Sequence, residues 1–476
     1  MRTPKLQLAA FLVSILILPL CQSPAHAQKS PVERILVVQG ASVVDAVTGA
    51  VRPDQTVIIR GNRIAFVGPR KNAKIPRNAT EIDGRGLFLI PGLWDMHVHL
   101  EFGDWFPGAK EITLPLFIAN GVTGVRDMGS ELETVQGWRK EIGAGKLTGP
   151  RIFTSGPMLD GPKPRFPSSV AVATAEDGRR AVDDLKRRGA DFIKLQSLIP
   201  REGVLAIVDE GKKQKIAFEG HVPDAMRASE MSEAGMKSFE HLIGIFEGSS
   251  PLEEEFLKGN KSEGKFLSTF DAGRAAKLAG LLAKNHTWQC PTMVWERGGN
   301  LIDVTDFAGD SRAKYVPASW KEKTWKRFRD EIAAGYNTDD LATRRKFIEK
   351  ELEVVQMLHR AGVPFLAGTD TPPGVYIFPG FSLHEELQRF VDAGFTPLEA
   401  LQTATLNAAR FFGMEKQSGT IEEGKLADAV LVMANPLVDI KNTQKIAGVI
   451  ANGRYYSRAE LDKMLTGVEA AASQVH

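Results

Sequence analysis

Short β-branched runs separated by glycine open the pattern of this chain: residues 34–38, 41–45 and 55–59, punctuated by Gly40, Gly49 and Gly61-Asn62. Runs of this kind predict strands of a small sheet. Gly61-Asn62 leaves two residues before the next apolar run at 63–67, the spacing of a tight hairpin. The same texture returns at 428–433 and 445–450, followed by Asn452-Gly453. Similar chain ends around a long middle predict one small discontinuous β domain, a β-sandwich built from residues 28–90 and 418–476.

From 91 to 417 the pattern changes to strand-like runs alternating with helical stretches. The runs lie at 93–97, 124–127, 151–154, 191–195, 215–219, 238–240, 287–290 and 363–367. Alternation predicts βα units and a parallel sheet. Eight such runs fit an α/β fold of the (β/α)8, TIM-like barrel type. Residues 295–340, charged and aromatic, form an insertion before the eighth run, read either as surface decoration or as a lid.

Composition narrows this picture. The 476 residues are 43% hydrophobic and 25% charged, which suits large globular cores and excludes disordered, collagen-like and coiled-coil chains. Residues 1–27 read as a secretory signal: Arg2 and Lys5 form a basic start, 8–20 is apolar, and Ala25-His26-Ala27 precedes the cleavage point. The apolar run is shorter than the roughly 20 residues of a spanning helix. An exported location, periplasmic or secreted, follows as an expectation. Loss of Arg2 and Lys5 brings the basic count level with the 58 acidic residues. A neutral surface offers no footprint for nucleic acid. Cys290 is then the only cysteine, so no internal disulfide forms in the exported chain.

Candidate chemistry sits at the ends of the barrel runs. His97-Val98-His99 closes the first, and residues i and i+2 of a strand share a face, so both imidazoles aim at one point. Lys194 lies on the fourth run, His221 and His241 just after the fifth and sixth, and Asp370 after the eighth. Carboxyl ends of barrel strands converge on one face, which gathers these dispersed residues. Arg126 ends the second run, as a fork for a substrate carboxylate or as the partner of a neighbouring acid. Arg165 in the 156–167 loop and Tyr376 after Asp370 are further substrate-contact candidates, with packing the alternative for Tyr376. His286 and His359 lie away from the mouth, and His384 is placed to support the site from behind.

Several stretches carry a resemblance: Pro91-Gly-Leu-Trp-Asp-Met-His-Val-His99, Gly121-Val-Thr-Gly-Val-Arg-Asp127, Asp191-Phe-Ile-Lys194, Gly220-His-Val222, Glu240-His-Leu242, Gly368-Thr-Asp-Thr-Pro372 and Gly419-Thr-Ile-Glu-Glu-Gly-Lys-Leu-Ala-Asp428. Together they resemble the metal-dependent amidohydrolase superfamily, in its imidazolonepropionase-related group with Xaa-Pro dipeptidase-like members. The resemblance implies two divalent ions, Zn²⁺ or else Mn²⁺, Co²⁺ or Fe²⁺. His97, His99 and Asp370 would hold one, His221 and His241 the other, and Lys194, carboxylated by CO₂, would bridge them. It also implies hydrolysis of a C–N bond in a small amide, dipeptide or N-acyl amino acid by a hydroxide bridging the metals, with Asp370 as general base and then acid. Relatives commonly assemble, so a homo-oligomer is expected. The 156–167 loop departs from the Gly- and His-rich segment of peptidase relatives, which leaves a dipeptidase assignment open. Two other readings compete: a mononuclear cyclic-amide hydrolase or deaminase, which does not need the Lys194 carbamate, and a non-catalytic periplasmic solute-binding protein.

Overall fold

The computed structural model describes residues 34–166, 168–301, 309–331 and 339–475. The expected secretory signal and parts of the 295–340 insertion lie outside the described residues.

The first five strands are β1 (Ile35–Val44), β2 (Val51–Arg60), β3 (Arg63–Pro69), β4 (Thr80–Asp83) and β5 (Phe88–Pro91). The predicted hairpin is present: Arg60 pairs with Arg63 across Gly61-Asn62. The core strands are β6 (Leu93–Val98), β7 (Val122–Asp127), β8 (Arg151–Thr154), β9 (Met158–Asp160), β10 (Ser169–Ala171), β11 (Ile193–Leu195), β12 (Phe218–Gly220), β13 (Ser238–Glu240) and β14 (Trp288–Cys290). Three strands close the chain, β15 (Ala429–Val432), β16 (Ile446–Ala451) and β17 (Arg454–Ser457).

Both chain ends meet in one mixed sheet of eight strands, in the order β17-β16-β15-β5-β1-β2-β3 with β4 on β1. Hydrogen bonds run through all eight strands, and the sheet curls back on itself: Ile64 N donates to Lys425 O and Gly424 N to Ile64 O, each at 2.8 Å, joining the β3 edge to the segment before β15. Leu36, Val38 and Val57 from the start pack with Ile421, Leu431 and Ile450 from the end in one apolar cluster. Arg151 ties this sheet to the core through Asp428 at 2.9 Å. Beyond β17 the chain forms a helix, Arg458–Gln474, that the sequence reading left unmarked. A capping box of Ser457 and Glu460 starts it, and its Leu461, Val468 and Ala472 are buried.

In the middle, β6-β7-β8 form one parallel sheet and β10-β9-β11-β12-β13-β14 another. Helices fill the intervals. The helix Ala175–Arg188 shows why: a Thr174–Asp177 capping box starts it, Gly189 in the left-handed region ends it, and Ala181, Val182 and Leu185 turn inward. Seven of the eight predicted runs become strands. The eighth, 363–367, is held by an isolated bridge: Gln289 N donates to Pro364 O and Leu366 N to Gln289 O, each at 2.9 Å, on one side, and Met96 N donates to Ala367 O at 2.8 Å on the other. Asp191 N to Thr154 O, 2.9 Å, links the two sheets at β8.

The described parts of the insertion pack over the loops at the strand ends. Trp320 is 1% exposed, its indole N–H donates to the Pro107 carbonyl at 2.9 Å, and its ring meets Phe106 edge-on.

Candidate metal centre

His97 is the penultimate residue of β6 and His99 directly follows the strand; Lys194 is the central residue of β11; His221 and His241 directly follow β12 and β13. Asp370 arrives on the loop after 363–367, where its backbone N–H donates to His97 O at 2.8 Å. The sequence-predicted set therefore converges. The His97 and His99 rings lie 5.5 Å apart, His97 and His241 4.7 Å, and His221 and His241 5.0 Å.

Close backbone approach makes this possible. A side chain at Gly368 would strike Cys290 Sγ at 2.5 Å and His97 Cβ at 2.7 Å, so only glycine lets the Asp370 segment lie against β6. Asp370 and His241 both sit in the left-handed region, at φ 58° and 60°. Such backbone is costly for non-glycine residues and gathers at functional sites.

Each imidazole is oriented through Nδ1. His97 faces Glu240 Oε2 at 2.7 Å, His99 the Gly129 carbonyl at 2.9 Å, His221 Ser197 Oγ at 2.8 Å and His241 Thr292 Oγ1 at 2.6 Å. A carboxylate and a carbonyl only accept, so His97 and His99 carry their proton on Nδ1. Thr292 donates its own hydroxyl to Pro291 O, which makes it the acceptor from His241 as well. Lone pairs on Nε2 of His97 and His99 thus point at Asp370 Oδ1, at 3.4 and 3.1 Å. His241 Nε2 lies 3.9 Å from Oδ2.

Acceptors facing acceptors repel unless a cation lies between them. His97 Nε2, Asp370 Oδ1 and Lys194 Nζ are all buried without a hydrogen-bond partner. Bonds of ~2 Å in a tetrahedral site put ligand atoms about 3.3 Å apart, which matches these separations. His97, His99 and Asp370 qualify geometrically as a metal-holding group. The residues fit a divalent cation. The centre meets solvent through Asp370, His241 and His99, whose side chains are 12%, 10% and 7% exposed.

Burial sets the protonation states. It pushes His97 and His221 well below the usual imidazole range and His241 down to about 4, so all three are neutral near pH 7. Burial likewise lowers Lys194 to about 8 against the opposing pull of Glu240 and Asp370. For Asp370, burial raises the carboxyl, but at the acid pH where it titrates, protonated imidazoles of His97, His99 and His241 outweigh burial and bring it below the ordinary range.

The substrate candidates fare differently. Arg126 is fully buried and does not reach the mouth, which corrects its reading as a substrate fork. Its NH1 bonds Glu219 at 2.7 Å and Ser238 at 2.8 Å, NH2 bonds Glu240 at 2.9 and 3.0 Å, and Nε bonds Met96 O. Pairing with buried acids is the alternative that holds. Arg165 is exposed, with its guanidinium 5.4 Å from the Phe166 ring; Phe166 meets Phe102, which meets the edge of His99 at 5.0 Å. Tyr376 packs on Trp325 with ring centroids 4.8 Å apart. His384 supports no part of the centre: it bonds Thr443 Oγ1 at 2.9 Å and Asn120 O at 3.1 Å. His286 is exposed, and His359 stacks on Phe395.

Sequence reasoning passed over Glu240, Ser197 and Thr292. Glu240 alone had a readable sign, since Ser238 and Glu240 alternate on β13 and so turn to one face. Cys290 Sγ lies within 4.8 Å of donor atoms of Glu240 and His97, but burial raises its thiol well above the usual range, leaving it neutral.

Known proteins share this arrangement of chain. Ochratoxinase of Aspergillus niger is 25% identical over 450 residues, covering 82% of this chain and 79% of that protein. Adenine deaminase of Paracoccus denitrificans is 24% identical, covering 93% of this chain and 61% of its own length. A Xaa-Pro dipeptidase solved with methionine bound in its active site superposes with a TM-score of 0.64 at 22% identity, over 89% of this chain and 100% of that one, a likeness of fold. The shared fold is a TIM-like barrel. The model of the amidohydrolase family matches residues 88–455, from β5 through to β17, and on that match this chain belongs to the amidohydrolase family of enzymes.

Proposed function

We propose that this protein is a metal-dependent hydrolase that cleaves the C–N bond of a small amide, such as a dipeptide or an N-acyl amino acid. One observation carries the reading: the Nε2 lone pairs of His97 and His99 are aimed at Asp370 Oδ1 in a buried centre beside an unpartnered Lys194. His97, His99 and Asp370 would hold one divalent ion, Zn²⁺ by donor type, and His221 and His241 a second, with carboxylated Lys194 between them. Bound ions would polarise the scissile carbonyl and lower the pKa of water near neutrality.

The chain's own residues supply the rest. Asp370, held ionised, is the acceptor for the proton of the attacking water, and it returns that proton to the leaving nitrogen. Burial keeps His97, His221 and His241 neutral and brings the Lys194 amine towards its neutral form, the form that reacts with CO₂. Phe102 walls one side of His99 and Trp295 lies 6.2 Å from His241, so the approach is apolar on both sides. Arg165 at the rim and Tyr376 beside the insertion are the proposed substrate contacts.

We further read β6, β7, β8, β11, β12, β13 and β14 with 363–367 as a closed eight-stranded barrel, residues 28–90 and 418–476 as one discontinuous domain, and the chain as exported after cleavage near Ala27. The test is a hydrolysis screen of dipeptides, N-acyl amino acids and lactones by metal-reconstituted protein in bicarbonate. Amide cleavage is expected; activity confined to lactones or esters overturns the reading. Metal analysis should give two ions per chain, with Lys194→Ala reducing occupancy. The adenine deaminase likeness supports a second reading, deamination by a single-ion centre, and ammonia release from adenine with one ion per chain would favour it.

A further inference from the structure

The four imidazoles differ in what stands behind them. Gly129 O, Ser197 Oγ and Thr292 Oγ1 are neutral groups, whereas His97 Nδ1 rests on the carboxylate of Glu240 at 2.7 Å. That carboxylate has no freedom. Its Oε1 takes Ser238 Oγ at 2.5 Å and Arg126 NH2 at 2.9 Å, and its Oε2 takes Arg126 NH2 at 3.0 Å and His97. Arg126 is in turn fixed by Glu219 and by the Met96 carbonyl, one residue before His97. Glu240 and Arg126 are 0% exposed. A buried Glu–Arg–Glu array is no better for stability than packed apolar side chains, so its placement against one imidazole asks for another explanation.

We infer that Glu240, clamped by Arg126 and Ser238, is a positioning residue that makes His97 the strongest imidazole donor of the centre, so that the ion at His97, His99 and Asp370 is held more tightly than the ion at His221 and His241. The inference rests on the two-ion reading above. A carboxylate behind a ligating histidine fixes its tautomer and raises its basicity, and losing it typically weakens metal affinity about ten- to a hundredfold. A hydroxyl accepting the same N–H fixes the tautomer but adds no full charge.

Chelator competition with Zn²⁺ alone on the full chain tests this by resolving two dissociation constants. Wild type is expected to show a tighter and a weaker ion. Glu240→Gln should weaken the tighter one about ten- to a hundredfold and leave the other within threefold, while Thr292→Val should act only on the weaker ion. Cobalt substitution adds a spectroscopic readout: the d–d bands of the first ion to load should shift in Glu240→Gln and not in Thr292→Val. Ser238→Ala, which keeps the Arg126 pair, replaces Glu240→Gln if that variant does not fold, and should cost the tighter ion two- to fivefold. Two ions bound by wild type with unchanged constants in these β13 variants, or an equal loss at both ions, overturn the inference alone. A wild type that binds no metal overturns the reading of the centre and this inference with it.

Discussion

Asp95 and Thr369, 274 residues apart, are joined by two bonds: the Asp95 carboxylate accepts the Thr369 backbone N–H at 3.0 Å and its hydroxyl at 2.7 Å. One lies two residues before His97 and the other immediately before Asp370, so this pair sets the distance between two proposed ligands. Asp95→Ala would leave the buried Thr369 hydroxyl without its acceptor and the Thr369 N–H with only the longer bond to the His97 carbonyl at 3.3 Å, a loss of about 1–3 kcal/mol per orphaned donor. We expect roughly 3 kcal/mol lost in urea unfolding together with lower metal content. Unchanged stability and metal content would show that the pair is dispensable.

Asp370→Asn keeps the size of the side chain but loses its capacity to take a proton. General acid–base contributions run to about 10²–10⁴-fold. The expected result is a fall in kcat of about a thousandfold on any amide the wild type cleaves, with an unaltered circular dichroism spectrum. A kcat within tenfold of wild type removes Asp370 from proton transfer.

Lys194 is lowered to about 8, first by burial. Its neutral, CO₂-reactive form therefore becomes the majority above that pH. Recovery of activity by metal-free protein given Zn²⁺ and a constant concentration of dissolved CO₂, with bicarbonate raised alongside pH to hold it, should quicken as pH rises towards about 8 and level off above it. A rate that is flat from pH 7 to 9 contradicts this.

His384 is buried and held at about 4 by burial, against 6.5 for an exposed imidazole. The unfolded chain takes up a proton below pH 6.5 while the folded one does not, so stability falls as pH drops from 6.5 towards 4. At one group the effect is roughly 3 kcal/mol at full extent. In the metal-free protein, the stability difference between pH 7 and pH 4.5 should be smaller in His384→Gln than in wild type by up to about this amount. An identical pH dependence in the two proteins refutes the assignment.

Trp320 bolts the insertion to the loop after His99 through Phe106 and the Pro107 carbonyl. Truncation of a buried aromatic costs about 3–5 kcal/mol. In Trp320→Ala that loss should be local, read as faster tryptic cleavage after Lys321 and Lys326 at unchanged far-UV spectrum. If the insertion serves the mouth, KM rises with it.

Much of the centre is legible before folding because strand periodicity and barrel convergence are local rules applied repeatedly. His97-Val-His99 reads as one face of a strand, and His221 and His241 read as strand ends from spacing alone. Arg126 was harder: a cation at a strand end looks the same from sequence whether it meets substrate or a buried acid. Only the packing of β7 against β12 and β13, strands of another sheet, brings Glu219 and Glu240 to it. His384 misled for the same reason, since helix phase sends it to Asn120 and Thr443 instead of the mouth.

The amino-acid sequence by itself determined the alternation of elements, the meeting of both chain ends and the ligand candidates. These follow from period, turn chemistry and residue type, which act over a few neighbours. Tertiary structure alone decided which atoms face which. It turned Nε2 of His97 and His99 towards Asp370, placed Glu240 behind one imidazole and neutral groups behind the others, and joined the terminal strands into one sheet. Distances of 3 Å between residues hundreds of positions apart come from packing of whole elements, and no local pattern encodes them.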